Sequence, residues 1–296
     1  MDRPGPQRLR DVLGSGERSF SFEFFPPKDD DGERRLWTAI RELEPLAPTF
    51  VSVTYGAGGG TRGRTVRITD RIATETTLRP VGHLTCVGQD VAAIRTVVGQ
   101  YAAAGVHDIL TLRGDPPGGP GSPWEPHPGG LEHAAQLVAL VRSLGDFTVG
   151  VAAFCEGHPE AASLADDARV LAEKARAGAE FAVTQLFFRA EDYFALVERA
   201  AAAGCDIPIV PGIMPVTNLR QVRRFAELSG AAVPAGVTDR LEPLREDPAA
   251  LRTAGVELAV ELCEALLAGG APGLHYYTLN RSTATREIHA ALGVTA

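Results

Sequence analysis

Only four cysteines occur in 296 residues, Cys86, Cys155, Cys205 and Cys263. No two stand as C-x-x-C and none lies at zinc-site spacing from a histidine, which excludes a disulfide framework and a structural zinc as organising devices. A reducing, cytoplasmic compartment is the expectation that follows. No apolar run approaches the ~18 residues of a membrane span, and residues 1–16 lack the apolar segment of a secretory signal. Excess positive charge is also missing. The 29 Lys and Arg face 37 Asp and Glu, for a net charge of −8, which argues against nucleic acid or an anionic membrane surface as partner. No P-loop, H-E-x-x-H or G-x-S-x-G occurs, and the seven histidines do not cluster at metal spacing, so no metal ligand is assigned. The run Gly58-Gly59-Gly60-Thr61-Arg62-Gly63 satisfies G-x-G-x-x-G, but it follows the second strand and reads better as a flexible loop.

What is present is a rhythm of short β-rich runs and helical stretches. Strands are expected over Ser19–Phe25, Phe50–Tyr55, Val81–Cys86, Asp108–Arg113, Phe147–Phe154, Phe181–Phe187, Ile207–Pro211 and Leu274–Leu279. Helices are expected over Gly32–Leu46, Val91–Ala104, Leu131–Leu144, Ala165–Ala177, Glu191–Ala203, Asn218–Leu228 and Ala250–Leu267. Ala92, Ile94, Val97, Val98 and Tyr101 show the helical period, and Gly105, Gly178 and Gly204 sit where a helix ends in a left-handed residue. Eight βα units predict an α/β fold, a (β/α)8 TIM barrel forming one domain over residues 1–296, with an open doubly wound sheet as the alternative. Residues 1–17 read as a flexible or loosely packed extension. The Pro/Gly-rich segment Pro116–Gly130 reads as a flap or a spacer, and Ala231–Ala249 as a small helical insertion.

Barrel enzymes do their chemistry at the C-terminal ends of the strands. In strand one, Phe20, Phe22 and Phe24 share one face and Ser21 and Glu23 the other. The Phe face should pack on helices, which puts Glu23 inside. Similar alternation pairs Ser52 with Thr54 and His83 with Thr85, aligns Thr111, Arg113 and Asp115, and presents Gln185. Burial should raise the Glu23 pKa toward that of a general acid; a strand carboxylate paired with Arg113 is the other reading. Arg113-Gly114-Asp115 is either a ligand-approaching turn or a turn with a solvated Asp.

Eight segments in order resemble the methylenetetrahydrofolate reductases. They are Ser21-Phe-Glu-Phe-Phe-Pro-Pro27, Phe50-Val-Ser-Val-Thr-Tyr-Gly-Ala57, His83-Leu-Thr-Cys86, Leu112-Arg-Gly-Asp115, His158-Pro-Glu-Ala161, Thr184-Gln185, Pro211-Gly-Ile-Met-Pro215 and Tyr277-Thr-Leu-Asn-Arg281. The match is to the short bacterial, catalytic-barrel form. It implies that NADH (or NADPH) reduces bound FAD, after which 5,10-methylenetetrahydrofolate replaces the nicotinamide and is reduced to 5-methyltetrahydrofolate for methionine synthesis. It also implies a homo-oligomer. By the same resemblance Glu23 is the acid that protonates folate N10, directly or through a water, and Asp115 binds the pterin N–H edge near the flavin. Gln185, Gln221 and Arg281 match substrate positions, and Thr54 a nicotinamide position; Phe225 is either a ring that stacks on the substrate's aromatic portion or on adenine, or a helix core residue. The resemblance gives the FAD site as Tyr55, Ala57, His83, Arg113, Gly114, Asp115, Ala134, Phe154, His158, Ala161, Asp167 and Lys174.

The chain departs from the better-known bacterial members where Val170 and Glu173 stand for an Asn and an Arg, and where His133 stands for a Tyr. Val170 and Glu173 motivate a second reading, a flavin-free reductase passing hydride directly from NADH to folate. Two further readings are a non-catalytic folate-binding barrel, which the joint presence of Glu23, Asp115 and Gln185 opposes, and an unrelated barrel lyase, for which no phosphate loop appears.

Overall fold

The computed structural model turns Phe20, Phe22 and Phe24 outward into the layer between strands and helices, where they meet residues such as Leu36 and Ile40. It turns Ser21 and Glu23 into a barrel. The described residues are 8–55, 62–116, 118, 122–229 and 231–293. The strands are β1 (Ser19–Phe24), β2 (Phe50–Val53), β3 (Pro80–Thr85), β4 (Asp108–Leu112), β5 (Thr148–Ala153), β6 (Phe181–Thr184), β7 (Ile209–Val210), β8 (Gly212–Ile213) and β9 (Gly273–Tyr277). All pairings are parallel, in the order β7-β6-β5-β4-β3-β2-β1-β9-β8.

β7 and β8 are two halves of the seventh barrel strand. Proline has no N–H to give a ladder, and Pro211 divides the halves. The first pairs with β6 and the second with β9, while the Pro211 carbonyl accepts the His275 N–H at 2.9 Å. The barrel expected from the eight βα units therefore closes through a split strand. The expected segment Ile207–Pro211 begins two residues early and stops before this second half.

Helices follow the strands: α1 (Leu9–Leu13), α2 (Asp30–Leu43), α3 (Arg62–Glu75), α4 (Val91–Ala103), α5 (Ala134–Leu144), α6 (Leu164–Arg176), α7 (Ala190–Ala202), α8 (Leu219–Ser229), α9 (Ala235–Leu241), α10 (Pro248–Ala268) and α11 (Thr283–Ala291). Asp29, Asp90 and Ser163 start α2, α4 and α6 by accepting N–H groups of the first turn, which satisfies donors the helix itself leaves open. Gly105, Gly178 and Gly204 have φ of 75°, 113° and 80°, as their place after helices required. The 231–249 insertion contains α9. α3 escaped the periodicity reading because its buried side includes Thr65 and Thr69 beside Ile68 and Ile72, which breaks the apolar stripe.

Inside the barrel, Phe50, Val81, Leu110, Phe181, Val183 and Val210 form a separate core. Gly150 makes room for it, since a Cβ there would lie 2.3 Å from the Phe181 ring. Leu9 and Leu13 of α1 complete this core and are 0% and 2% exposed. Residues 8–13 are thus not a loose extension, which corrects the expectation for that part of the chain. The helix covers the end of the barrel opposite the active-site end, because inward apolar residues at an open end would otherwise face water. Ion pairs from Arg8 to Asp146 and from Arg10 to Glu180 hold it in place. Leu9→Ala should lower unfolding free energy by about 2–5 kcal/mol, measured by urea denaturation. A change below about 0.5 kcal/mol, the size of an ordinary surface substitution, would show that α1 does not seal the core.

Candidate active site

Glu23 lies on the inward face of β1, opposite Ser52 of β2 and Tyr277 of β9 in the strand register. It is 6% exposed. One carboxylate oxygen, Oε2, gathers three partners: Ser52 Oγ at 3.3 Å, His275 Nε2 at 3.4 Å and His83 Nε2 at 3.4 Å. His275 in turn meets Ser21 Oγ through Nδ1 at 2.7 Å, stacks on Phe50 and stands edge-on to Tyr277. With the carboxylate ionised, His275 Nε2 carries the hydrogen and Nδ1 accepts from Ser21. A chain of polar atoms therefore runs from Ser21 through His275 to Glu23.

Burial is the largest influence on the Glu23 carboxyl and pushes its pKa up. The His275 hydrogen bond, the electrostatic influence of the His83 and His275 rings and the Ser52 hydroxyl together outweigh it and leave the pKa below the usual carboxylate value. The expected elevation is corrected accordingly. The alternation in β1 shows that Glu23 is buried, but not that β2, β3 and β9 aim polar groups at it. The pairing with Arg113 does not form either, since that guanidinium is engaged by Glu160. Burial drives the His83 pKa down to about 4, with Glu23 opposing the shift, so His83 is neutral at pH 7.

The ends of β1 and β9 are stapled together above this cluster. Asn280 Oδ1 accepts the Phe25 N–H and its Nδ2 donates to the Phe25 carbonyl, both at 2.8 Å. Thr278 Oγ1 donates to the Glu23 carbonyl at 2.7 Å. Leu279 and Asn280 take positive φ, 52° and 57°, the left-handed turn that carries the chain across the β1 end.

The remaining candidates spread around the mouth. Thr54 follows β2, and its carbonyl accepts the Thr65 hydroxyl at 3.0 Å. Tyr55 belongs to the outer layer, with its hydroxyl on Gln89 Oε1 at 3.3 Å. Ala57 and the glycines after it, Gly58–Gly60, lie outside the described residues. Gly114 has φ of 86°, and a Cβ would stand 2.5 Å from Val87, so only glycine fits this turn. Asp115 beside it is exposed, whereas Thr111 faces away from the interior, its hydroxyl on the Gly150 carbonyl. Ala134 is the buried first residue of α5, and His133 precedes it as the cap. Phe154 follows β5 edge-on to His158 at 4.9 Å, and Ala161 N–H bonds the His158 carbonyl at 2.9 Å.

On α6, the pKa of Asp167 is raised by burial, with Lys174 opposing. Burial lowers the Lys174 pKa against the pull of Asp167, and its Nζ donates to the Ala152 carbonyl at 3.1 Å. Val170 and Glu173 of the same helix are exposed. Gln185 follows β6 and lines a small cavity with Phe154, Glu156, Gly157 and Ala231. Gln221 is exposed in the first turn of α8, and Phe225 packs into the apolar cluster shared with Tyr277 and Leu279. Arg281 is exposed just beyond β9. His83 Nε2 and Thr85 Oγ1, on one face of β3, are buried polar atoms without a hydrogen bond. No group of three metal-ligating side chains occurs among the described residues.

Sequence reasoning missed His275 and Tyr277 as site residues. The alternation that placed Glu23 would have found them, since both lie on the inward parity of the last strand. Glu160 stands within the His158–Ala161 motif and Trp124 within the Pro/Gly-rich segment, both without an expected role, because they meet Arg113 only in three dimensions.

A closed barrel with a buried acid cluster at the C-terminal ends of its strands is the architecture of a (β/α)8-barrel enzyme. The solved structure of a phosphonopyruvate hydrolase superposes with a TM-score of 0.53 at 15% identity, over 96% of this chain and 82% of the other, which supports the fold alone. The family model for methylenetetrahydrofolate reductase matches residues 8–293. The 5,10-methylenetetrahydrofolate reductase of Pectobacterium carotovorum is 40% identical over 94% of this chain and 91% of its own length. That of Escherichia coli K12 is 39% identical over 97% and 94%. The chain belongs to the methylenetetrahydrofolate reductase family and is an oxidoreductase. No helix among the described residues is long and apolar enough to cross a membrane.

The pH dependence follows from His83. Its folded pKa of about 4 lies below the ordinary 6.5, so the unfolded chain binds the extra proton. That contribution is complete above pH 6.5 and is lost as pH falls toward 4, in total about 3 kcal/mol. Denaturant titrations at pH 7.5 and 4.5 should show this loss, and His83→Gln should flatten it. An equal slope in both proteins would remove His83 as the cause.

Proposed function

We propose that this protein reduces 5,10-methylenetetrahydrofolate to 5-methyltetrahydrofolate with NADH (or NADPH) through FAD, in a ping-pong cycle that supplies methionine synthesis. The observation that carries the reading is the buried Glu23–His275–Ser21 chain at the mouth of a barrel of this family. The residue set fits FAD. Arg113 and Lys174 supply cations for a pyrophosphate, and Asp167 an acceptor for a ribose hydroxyl. The turn at Gly114 lets backbone approach a ring, and His83 Nε2 and Thr85 Oγ1 hold unspent hydrogen-bonding capacity. When bound, FAD would take hydride from the nicotinamide and deliver it to the methylene carbon.

The chain's own residues do the rest. Glu23 holds a proton for N10 as the five-membered ring opens. The free site keeps its carboxylate ionised, so the proton must be loaded, and His275 and Ser21 are the polar groups in line to relay it from the interior or a water. Asp115 accepts the pterin N–H edge, and its negative charge favours the cationic iminium that ring opening leaves on the folate. Gln185 serves folate and nicotinamide in turn, and Thr54 faces the nicotinamide. Gln221, Phe225 and Arg281 hold the aminobenzoyl-glutamate portion, Phe225 by ring stacking and Arg281 by charge. Tyr55, Ala57, His83, Ala134, Phe154, His158 and Ala161 complete the FAD environment. The protein acts as a cytoplasmic homo-oligomer without nucleic-acid or membrane partners.

A second reading keeps the reaction and omits the flavin, with hydride passing directly from NADH to folate. It is favoured by the exposed Val170 and Glu173 on α6 and by the engagement of Arg113 with Glu160. The absorption spectrum of the purified protein separates the two. Flavin bands that bleach with anaerobic NADH and return with methylenetetrahydrofolate support the ping-pong reading, whereas a colourless protein that turns over supports direct transfer. Glu23→Gln should cut folate reduction by about 10²–10⁴-fold and leave reduction of the flavin by NADH intact. Both half-reactions surviving unchanged in the variant would remove Glu23 as the acid.

A further inference from the structure

Charged groups at the ends of β4, β5 and α6 form a cluster that neutralises itself. Arg113 Nη1 and Nη2 each donate to one carboxylate oxygen of Glu160, both at 2.6 Å. The guanidinium also lies 5.2 Å over the Trp124 ring, whose Nε1 donates to the Gly114 carbonyl at 3.2 Å. Arg113 is thus oriented by an aromatic face and a bidentate anion together. Glu160 is pinned at its backbone, where its N–H bonds His158 Nδ1 at 3.1 Å, but its side chain is 50% exposed against 23% for Arg113. Of the two side chains the carboxylate is the more open to solvent, the side from which an exchange of partners would proceed. Lys174 and Asp167 belong to the same electrostatic environment, since both Arg113 and Asp167 act on the Lys174 charge. Two cations, Arg113 and Lys174, are therefore balanced by two carboxylates, Glu160 bonded to Arg113 and Asp167 acting on Lys174 through its charge. A pyrophosphate dianion added to that balance would be repelled. The edge of a guanidinium that holds a carboxylate with two parallel N–H bonds is the same edge that holds a phosphate.

We propose that Glu160 is an internal counter-anion occupying the phosphate-binding edge of Arg113, which a dinucleotide pyrophosphate must displace, so that Glu160 sets the affinity for that ligand. This rests on reading the site as one for a phosphorylated ring cofactor. Both FAD and NADH carry the pyrophosphate, and either can be the competitor. Trp124 keeps the guanidinium in plane during the exchange, so Arg113 need not reorganise.

The test is equilibrium binding of FAD, NADH and riboflavin to the purified protein, resident flavin removed, for wild type and Glu160→Gln. Glutamine keeps the bulk and removes the charge. Loss of a competing charge-assisted pair should tighten the dinucleotide by about tenfold or more and steepen its salt dependence, while riboflavin, which has no phosphate, should bind unchanged. Whether FAD or NADH shows the gain identifies the displacing ligand. In an Arg113→Met background, which leaves no cation there for Glu160 to occupy, the further change Glu160→Gln should alter affinity far less than it does in the wild type. Dinucleotide affinity that is unchanged or weaker in Glu160→Gln overturns the inference and leaves the functional reading standing. If neither wild type nor variant binds either dinucleotide, both fall together. A thermal melt of each variant separates any unfolding from a change in affinity.

Discussion

The site is organised by one buried carboxylate. Inside a barrel no water is available to solvate Glu23, and withdrawing an ion from water costs roughly several kcal/mol. The hydrogen bonds that offset this come from two other positions in the barrel wall, Ser52 on β2 and His275 on β9, with the His83 ring of β3 close beside them. β9 reaches Glu23 only because the barrel closes, with the last strand paired beside the first. Closure depends in turn on the split at Pro211, which lets one strand pair with β6 in its first half and β9 in its second. Register, closure and the ionisation of one side chain are thus a single constraint.

The same constraint explains why motifs some 250 positions apart belong together. The segment around Glu23 and the Thr278–Arg281 turn are the neighbouring ends of β1 and β9, joined by the two Asn280 bonds to Phe25 and by the Thr278 hydroxyl. A left-handed backbone at two non-glycine residues is unfavourable in isolation; here the hydrogen bonds of Asn280 and Thr278 fix it. At the opposite end, α1 performs the complementary task. It closes an apolar interior that the strands alone would leave open, and so keeps the barrel a packed core with chemistry at one mouth.

A further balance governs the mouth. Arg113 is satisfied by Glu160 and Trp124, and Lys174 donates to the Ala152 carbonyl with the Asp167 charge acting on it. Both of these cations, the pair suited to a phosphate, already have internal partners. The cluster is charge-balanced before a ligand arrives, which favours a stable unliganded fold and makes recognition an exchange of partners rather than the filling of an empty positive pocket.

Much of this was legible along the chain. The β1 alternation placed three Phe outward and Glu23 inward because side chains on a strand point to alternate faces. Glycines after helices marked left-handed caps, and eight short motifs in order pointed to the family. The hidden parts have a common cause. α3 buries threonines and so dilutes its stripe, and the seventh strand is only two short segments around a proline. The α1 segment shows too few apolar residues to announce a plug. The sequence by itself determined the barrel, the burial of Glu23 and the kinds of residue that surround the mouth, because these follow from local periodicity and composition. Only the tertiary structure decided that His83, His275 and Ser52 converge on one carboxylate oxygen and hold its pKa down, and that Glu160 takes the guanidinium of Arg113. Those outcomes depend on distances between strands and loops far apart in sequence, which no local pattern encodes.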